Sequence, residues 1–397
     1  MKTVTLREIT LNITDGKHGD CEPAENSGYY FVSCKDVNNG TIDYANVRHF
    51  SVWAFLERHK WTQLEEIDML ITNSGTIGRM ALVKDIPETY RTTFQKSVAI
   101  VKPDISVVLP TYLYYKLQNC VTDFVNCSNG SAQKNLLLGT MRKFQIDLHE
   151  DFAEQERLSS ILAAYDNLIE NNQKQIKLLE EAARRLYKEW FVNFRFPGYE
   201  DTSIVDGVPE GWTLGELGDI AIDSGKKEKK EHRRQYQYYL PIDCLPKRSL
   251  AYTDKNDITL AESSLVAFMP NDILFGAMRP YFHKVVVARD KGLTRTTCFV
   301  INSKMPAYWA YLLLLLFSKD TVDYATQISV GTTMPYVRWK DFIHMPTLIP
   351  PEEKCDAFQA IVLPIIERIS CLAVSSERLI QARDRLLPKL MSGEIEV

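Results

Sequence analysis

The sequence predicts an α+β fold: two related, strand-rich globular domains are separated by two long helices that form an antiparallel coiled coil, giving a pseudo-two-fold internal repeat. Two observations predict it. The same long helical pattern occurs twice, with corresponding positions 200 residues apart. The strand-rich sequence before each copy also carries shared short patterns in the same order, as expected for an internal duplication.

The two helices are predicted from apolar residues that recur at alternating steps of four and three. This 3.5-residue period, sustained over about four heptads, is typical of a coiled coil. The predicted seam comprises Leu158, Leu162, Ile169, Asn172, Ile176, Leu179, Leu186, Phe358, Val362, Ile369, Leu379 and Leu386. Asn172 and Ser376 are polar positions of the kind that fix register. Arg383 also falls on the seam, where the pattern does not explain it, and Pro364 predicts a kink or a late start of the second helix.

The globular domains are related by patterns that recur in order. The members of each pair are Thr5–Glu8 with Thr213–Glu216, Asp68–Leu70 with Asp272–Leu274, Gly78–Asp85 with His283–Asp290, Pro110–Tyr115 with Pro306–Tyr311, and Gly130–Gln133 with Gly331–Met334. A single match would be chance, whereas an ordered series indicates duplication.

The predicted boundaries follow from these patterns and from Pro/Gly punctuation. Residues 1–150 form the first domain, 151–197 the central helix, 198–349 a linker with the second domain, and 350–397 the C-terminal helix. Within the first domain we expect short strands, among them Tyr30–Cys34 and Ser97–Val101, and one helix near Tyr112–Val121.

Composition places the chain among soluble globular proteins, because 45% of its 397 residues are hydrophobic and 25% are charged. The eight cysteines form no CxxC pair and have no histidine at metal-ligand spacing, so we expect reduced thiols in a cytoplasmic protein. No signal peptide is recognised, and the longest apolar run, Leu312–Phe317, is too short to span a bilayer.

Charge is distributed unevenly. The net charge is −4, but Lys226–Lys304 contains 15 basic and 8 acidic residues, and Arg79–Gln145 contains 9 and 4. Because nucleic-acid binding depends on the local patch, these segments are compatible with a nucleic-acid partner.

Catalytic patterns are not found in the sequence. There is no Gly-x-Gly loop for a dinucleotide or S-adenosylmethionine, and no Asn/Asp-Pro-Pro-aromatic tetrapeptide of an amino-methyltransferase. Gly225–Lys226 lacks the upstream glycine of a phosphate-binding loop, since residue 220 is Ile. Glu352–Lys354 resembles half of a nuclease site but lies at a predicted helix start. We therefore predict no catalytic residue, no metal and no cofactor.

Several segments are candidates for nucleic-acid contact. Lys226–Arg234 concentrates cations that could neutralise phosphates, although a solvated loop is the alternative. Gly130–Asn135 is a polar loop tip or an ordinary turn. Arg79 and Arg279–Lys284 take matching places in the repeat. The full candidate set is Lys17, Arg79, Ser131, Gln133, Lys134, Asn135, Lys226, Lys227, Lys229, Lys230, Arg233, Arg279, Tyr281, His283, Thr332, Thr333 and Tyr336.

Three segments resemble the DNA-specificity subunit of type I restriction-modification enzymes: Leu186–Phe194, Val208–Trp212 and Leu386–Ile395. The resemblance implies that the two globular domains are target-recognition domains, each reading one half of a bipartite double-stranded DNA target. It also implies that the helices set the spacer and dock two methyltransferase subunits, to which restriction motor subunits attach. Two alternatives stay open: a protein-interaction scaffold without DNA binding, and a nuclease or methyltransferase with an unrecognised site.

Overall fold

The structure is a computed structural model that describes residues 1–16, 19, 21–38, 40–44, 47–130 and 134–395. It divides into two compact units. The first unit contains Met1–Asn167 and Gln381–Val397, and the second contains Leu168–Ile380. Both long helices therefore contribute residues to each unit.

The first unit is built from short strands and five α-helices among the described residues. Its strands are Lys2–Thr5, Thr10–Asp15, Tyr30–Val32, Val37–Asn38, Thr41–Ile42, Arg48–His49, Met69–Thr72, Met80–Leu82, Thr92–Phe94, Val98–Pro103 and Gln145–Leu148. Its α-helices are Val52–Thr62, Pro110–Asn119, Val121–Asn126, Leu138–Lys143 and the start of the central helix, Phe152–Tyr187. The expectation of one helix in this domain was therefore wrong; Val52–Thr62, for example, begins where Ser51 accepts a hydrogen bond from the amide of Ala54.

The second unit has a comparable set of elements. Its strands are Ile204–Val205, Val208–Pro209, Thr213–Glu216, Ala221–Asp223, Lys226–Glu228, Leu265–Phe268, Ile273–Gly276, Val285–Val287, Gly292–Arg295, Cys298–Ser303 and Pro346–Ile349. Its α-helices are Leu217–Ile220, Trp309–Leu316, Lys319–Gln327, Trp339–Phe342 and most of the C-terminal helix, Glu352–Ser392. A π-helical turn, Lys188–Val192, follows the central helix.

The four-stranded sheet has the same strand order in both units. In the first unit the order is Thr10–Asp15, Val98–Pro103, Met69–Thr72 and Met80–Leu82. In the second it is Ala221–Asp223, Cys298–Ser303, Ile273–Gly276 and Val285–Val287. A two-stranded sheet also recurs, formed by Lys2–Thr5 with Gln145–Leu148 and by Thr213–Glu216 with Pro346–Ile349. The duplication read from the sequence is thus a duplication of topology.

The repeats diverge in their three-stranded sheets. In the first unit Tyr30–Val32 pairs in parallel with Thr92–Phe94. In the second unit Leu265–Phe268 pairs antiparallel with Gly292–Arg295. The two units therefore share the four-stranded sheet and differ in the strand pairing of the three-stranded sheet.

The long helices are part of the core of each unit. In the first unit Leu158 and Leu162 share a buried cluster with Leu390 and Met391. In the second unit Phe358 is in ring contact with Trp190 at 5.4 Å, and the Asn172 amide donates to the Ser375 hydroxyl at 3.3 Å. Going from Asn172 to Trp190 along the central helix, the contacted residue moves back from Ser375 to Phe358 along the C-terminal helix, so the helices pair antiparallel. The predicted fold class is confirmed.

The seam positions are buried or half-buried at all twelve predicted residues. The C-terminal helix contains an 18-residue window with a mean hydropathy of 1.7, as apolar as a membrane span. One third of that window is buried, including Phe358, Val362 and Ile369, which are at most 1% exposed and pack in the core of the second unit.

The polar seam positions have specific partners. Ser376 donates to the Leu372 carbonyl of its own helix at 2.9 Å. Arg383 donates to the Asp166 carboxylate at 2.6 Å, and Tyr115 donates to the same carboxylate at 2.7 Å. The position that the apolar pattern left unexplained is therefore an ion pair within the first unit.

The C-terminal helix begins at Glu352 and is continuous to Ser392. The alternative of a late start at Pro364 was wrong. Pro364 leaves the Ala360 carbonyl without its helical donor, and both residues are exposed.

Candidate nucleic-acid interface

Three chain segments meet at the same place in each unit. In the first unit the Asn73 amide donates to the Ser97 carbonyl at 3.1 Å, and the Leu136 amide donates to the Asn73 carbonyl at 2.8 Å. In the second unit Ala277 takes the place of Asn73. Its amide donates to the Thr297 carbonyl at 2.9 Å, and its carbonyl accepts from the Val337 amide at 2.9 Å. The backbone scaffold is therefore equivalent in the two units.

A glycine loop closes this site in each unit. Asn129 and Asn135 exchange backbone hydrogen bonds of 3.0 and 2.8 Å, and Val330 and Tyr336 exchange two of 3.0 Å. The first loop residue is left-handed in both, with φ of 107° at Gly130 and 106° at Gly331. Glycine adopts this conformation without a side-chain clash, which explains its presence at both positions.

The segment that ends the Asp-x-Leu strand also adopts a left-handed turn in both units. Its φ is 79° at Gly75 and 51° at Arg279. Each residue lies seven positions after its aspartate, Asp68 or Asp272. The equivalence therefore extends to the turn that faces the glycine loop.

We name the side chains at this place the first cluster and the second cluster. The first cluster comprises Ser74, Gln95, Lys96, Ser97 and Asn135, and the second comprises Arg279, Arg295, Thr296, Thr297, Thr333 and Tyr336. Gln95–Ser97 correspond to Arg295–Thr297 and Asn135 corresponds to Tyr336, whereas Arg279 takes the place of Gly75 and Ser74 that of Met278.

The first cluster lines a cleft of about 420 Å³ together with Cys34 and Gly75. The Ser97 hydroxyl accepts from the Cys34 amide at 3.1 Å and donates to the Gln95 side-chain oxygen at 3.4 Å. Gly75 borders the cleft where a Cβ would lie 3.3 Å from the Cys34 Sγ. The result is a half-buried, mostly polar surface that can donate and accept hydrogen bonds.

The second cluster is organised around Arg279. Its amide donates to the Pro335 carbonyl at 2.7 Å, and its Nη2 donates to the Thr333 carbonyl at 3.2 Å. Tyr336 donates to the Thr296 carbonyl at 3.1 Å. Arg279 holds a left-handed backbone despite its Cβ, a conformation that costs about 1–2 kcal/mol, so the loop contacts determine where this guanidinium lies.

Other predicted residues lie elsewhere in the fold. Arg79 donates to the Asn38 side-chain oxygen at 2.8 Å, and its register equivalent in the second unit is Lys284. His283 contacts the Phe317 carbonyl at 3.0 Å, and burial lowers its pKa. His283 thus faces Phe317 rather than the glycine loop.

The remaining predicted residues fall into two groups. Those that are exposed beside the clusters are Tyr281, Thr332 and Lys134. Those that lie outside the described residues are Lys17, Ser131 and Gln133.

The basic segment Lys226–Arg234 is not an open loop. Lys226–Glu228 is a strand and Lys230–Gln235 a 3-10 helix. The Glu228 carboxylate accepts from the Lys229 amide at 2.9 Å, the His232 ring at 2.8 Å and the Tyr236 hydroxyl at 2.7 Å, and these bonds lower its pKa to about 2. The loop interpretation missed this internal acceptor.

Part of the positive charge of this segment is paired. Lys230 and Arg233 lie 2.9 and 3.6 Å from the Glu262 carboxylate. Lys226, Lys227 and Lys229 are exposed and present the segment's charge to solvent. These three lysines are the members of the segment best placed for phosphate contact.

The sequence reasoning missed Ser74, Gln95, Lys96 and Ser97 in the first unit, and Arg295, Thr296 and Thr297 in the second. A signal for most of them was present. Gln95–Ser97 and Arg295–Thr297 are related by the same 200-residue offset as the long helices. Within the part of the chain that the structure describes, no group of three or more His, Cys, Asp or Glu side chains could hold a metal ion.

The sequence pattern of the type I restriction modification DNA specificity domain matches residues 2–181. The chain is 28% identical over 350 residues to the MjaIX type I restriction enzyme specificity subunit of Methanocaldococcus jannaschii, covering 83% of this chain and 78% of that relative. The matched domain and these relatives support a type I restriction-modification DNA-specificity subunit.

Further relatives of this specificity subunit agree. The EcoDI type I restriction enzyme specificity subunit of Escherichia coli is 21% identical over 383 residues, covering 88% of this chain and 78% of the relative. The crystal structure of a type I restriction-modification S subunit from M. genitalium aligns with a TM-score of 0.57 at 13% identity, covering 98% of this chain and 95% of that one. The latter likeness supports the fold.

Proposed function

We propose that the first and second clusters are the surfaces with which this specificity subunit reads DNA, and that each reads one half of a bipartite target. As a member of its family, the chain is a non-catalytic subunit that provides sequence-specific DNA recognition for a type I restriction-modification system. The enzyme alternative is set aside because its relatives are specificity subunits.

The observation that carries this proposal is the equivalence of the two clusters. An equivalent backbone scaffold holds carboxamide, hydroxyl and ammonium groups in one unit, and guanidinium, hydroxyl and phenol groups in the other. Phosphate contacts position a protein on DNA, whereas side chains that reach base edges specify sequence. Two equivalent sites with different side chains fit two half-sites of different sequence.

Subunits of this family assemble with methyltransferase and restriction subunits. We infer that two methyltransferase subunits dock on the paired long helices, that the helices set the spacer between half-sites, and that the assembly acts in the cytoplasm. The apolar seam accounts for the pairing of the helices, and the exposed helical faces provide the surface for docking.

A domain exchange tests the proposal. Replacing residues 1–150 with the corresponding domain of another family member, in complex with the methyltransferase, should change one half of the target selected from a random DNA pool. The other half should be unchanged. The reciprocal exchange of residues 198–349 is the matched control and should change only the opposite half. A change in both halves for either chimera would contradict separate half-site reading.

A further inference from the structure

We propose that the two clusters read different bases: Gln95 and Asn135 of the first cluster contact adenine, and Arg279 and Arg295 of the second contact guanine. This inference rests on the proposed function, because it takes each cluster to face one DNA half-site. It assigns base-reading roles to four side chains, of which Gln95 and Arg295 were not recognised in the sequence.

The first cluster presents carboxamides in a defined setting. Gln95 and Asn135 both line the 420 Å³ cleft. Both backbone groups of Asn135 are committed to Asn129, so its side chain is the part that remains to meet a ligand. The Gln95 oxygen accepts from Ser97 at 3.4 Å, and a carbonyl oxygen has a second lone pair for another donor.

The second cluster presents guanidinium groups at the corresponding place. The Arg279 Nη2 donates a hydrogen bond to the Thr333 carbonyl of the glycine loop. Arg295 is exposed, and it occupies the register position of Gln95, two residues before Thr297 as Gln95 is two residues before Ser97. The loop therefore holds the Arg279 guanidinium, whereas the Arg295 side chain lies at the surface.

Hydrogen-bond chemistry assigns the base to each group. In the major groove adenine presents an acceptor and a donor, N7 and N6, whereas guanine presents two acceptors, N7 and O6. A carboxamide carries a donor and an acceptor and matches adenine in a bidentate contact. A guanidinium group carries only donors and matches guanine. An exchange of the two would leave a donor facing a donor or an acceptor facing an acceptor.

The test is target selection from a random DNA pool, using the complex of the full chain with its methyltransferase. Gln95→Ala and Asn135→Ala should each relax an adenine position in one half-site. Arg279→Ala and Arg295→Ala should each relax a guanine position in the other. The loss of discrimination should be about tenfold to one hundredfold at one position per variant.

Charge-conserving variants separate base reading from phosphate contact. Arg279→Lys and Arg295→Lys keep the charge but lose the planar fork, so guanine discrimination should fall while the salt dependence of binding stays unchanged. Arg234→Ala, at an exposed arginine of the basic segment, is the matched control and should leave every base preference intact. The unfolding temperature of each variant confirms that it is folded.

Two results would overturn the inference. In the first, the arginine-to-alanine variants weaken binding uniformly and lower the salt slope by about 0.9 each without relaxing any base, which would make them phosphate contacts. In the second, the relaxed positions are neither adenine for the carboxamides nor guanine for the arginines. Failure of the unaltered complex to select any sequence would instead refute the proposed function.

Discussion

At the scale of single residues, Glu180 shows how the central helix holds the second unit together. Its carboxylate is 5% exposed and accepts from the Ser249 hydroxyl and the Leu250 amide, both at 2.7 Å. Burial raises the pKa of this carboxyl, and the two hydrogen bonds oppose that rise. Glu180 is therefore a buried charge that satisfies two donors.

We expect Glu180→Gln to unfold at the same or a higher temperature than the parent at neutral pH, because the amide removes the buried charge and keeps an acceptor. Glu180→Leu should lose about 1–3 kcal/mol, since the Leu250 amide would be buried without a partner. Thermal unfolding of both variants, with circular dichroism, measures the effect. A leucine variant as stable as the glutamine variant would contradict it.

The raised pKa of Glu180 also determines the direction in which stability changes with pH. The folded state binds the proton more tightly than the unfolded state, so protonation of Glu180 adds stability as the pH falls through the folded pKa. The advantage of Glu180→Gln over the parent should therefore shrink on acidification from neutral pH. If the advantage grew instead, the hydrogen bonds that favour the charged carboxylate would outweigh the effect of its burial.

Another pair of residue-scale contacts secures the C-terminal helix in the second unit. Glu377 lies 2.6 Å from the Lys255 nitrogen and 3.4 Å from the Arg289 guanidinium. The Arg289 guanidinium in turn lies over the Tyr252 ring at 4.2 Å. The second unit thus receives one carboxylate from each long helix, Glu180 and Glu377.

At the scale of elements, the basic segment Lys226–Arg234 differs most from its sequence-based interpretation. Charge density indicated an open loop, whereas Lys226–Glu228 pairs as a strand with Leu265–Phe268, and the Glu228 carboxylate accepts hydrogen bonds from His232 and Tyr236 of the chain that follows. The count of Lys and Arg identified the cations of this segment correctly. It could not show that Lys230 and Arg233 are paired with Glu262.

We expect the exposed lysines of this element to contact phosphate. Replacing Lys226, Lys227 and Lys229 with alanine should reduce the slope of log affinity against log salt by up to about 0.9 per lost contact, with base preference unchanged. Titrations at several salt concentrations measure the slope. The matched control replaces Lys84, Lys304 and Lys319, exposed lysines outside the basic segment and the long helices, and should leave the slope unchanged. Equal slopes for the two triple variants would return this element to the solvated-surface interpretation.

At the scale of the whole molecule, the role proposed for the long helices is to set the spacing between half-sites. The central helix continues from Phe152 to Tyr187, and the unit boundary at Asn167 falls within it. An insertion of a whole number of helical turns would keep the apolar seam of either helix nearly in phase. Helix length is therefore a variable that can be changed without replacing any residue of either cluster.

We expect a four-residue insertion beside Asn172 to widen the preferred gap between half-sites by one or two base pairs. Four residues add about 6 Å of helix, and duplex DNA rises about 3.4 Å per base pair. The half-sites themselves should not change. A two-residue insertion is the control for phase, because it rotates the seam by roughly 200° and should impair binding. Selection from a random DNA pool gives the gap, and an unchanged gap would show that the helices are not the spacer.

The sequence by itself determined the duplication, the two long helices and the fold class of this specificity subunit. These features depend on local periodicity and on a constant offset, and the burial of Leu158 and Phe358 follows from helix geometry within one segment. The family was also recognisable from motifs such as Leu186–Phe194, because they are contiguous in the chain.

Only the tertiary structure decided which polar residues share a surface. Asn73, Ser97 and Leu136 are far apart in sequence and meet through two backbone hydrogen bonds between segments. The same holds for Arg383, whose partner Asp166 lies on the other helix of the first unit. Strand register and helix pairing set these contacts, and neither composition nor periodicity specifies the alignment of distant segments. The clusters assigned to DNA reading therefore had to be found in the fold.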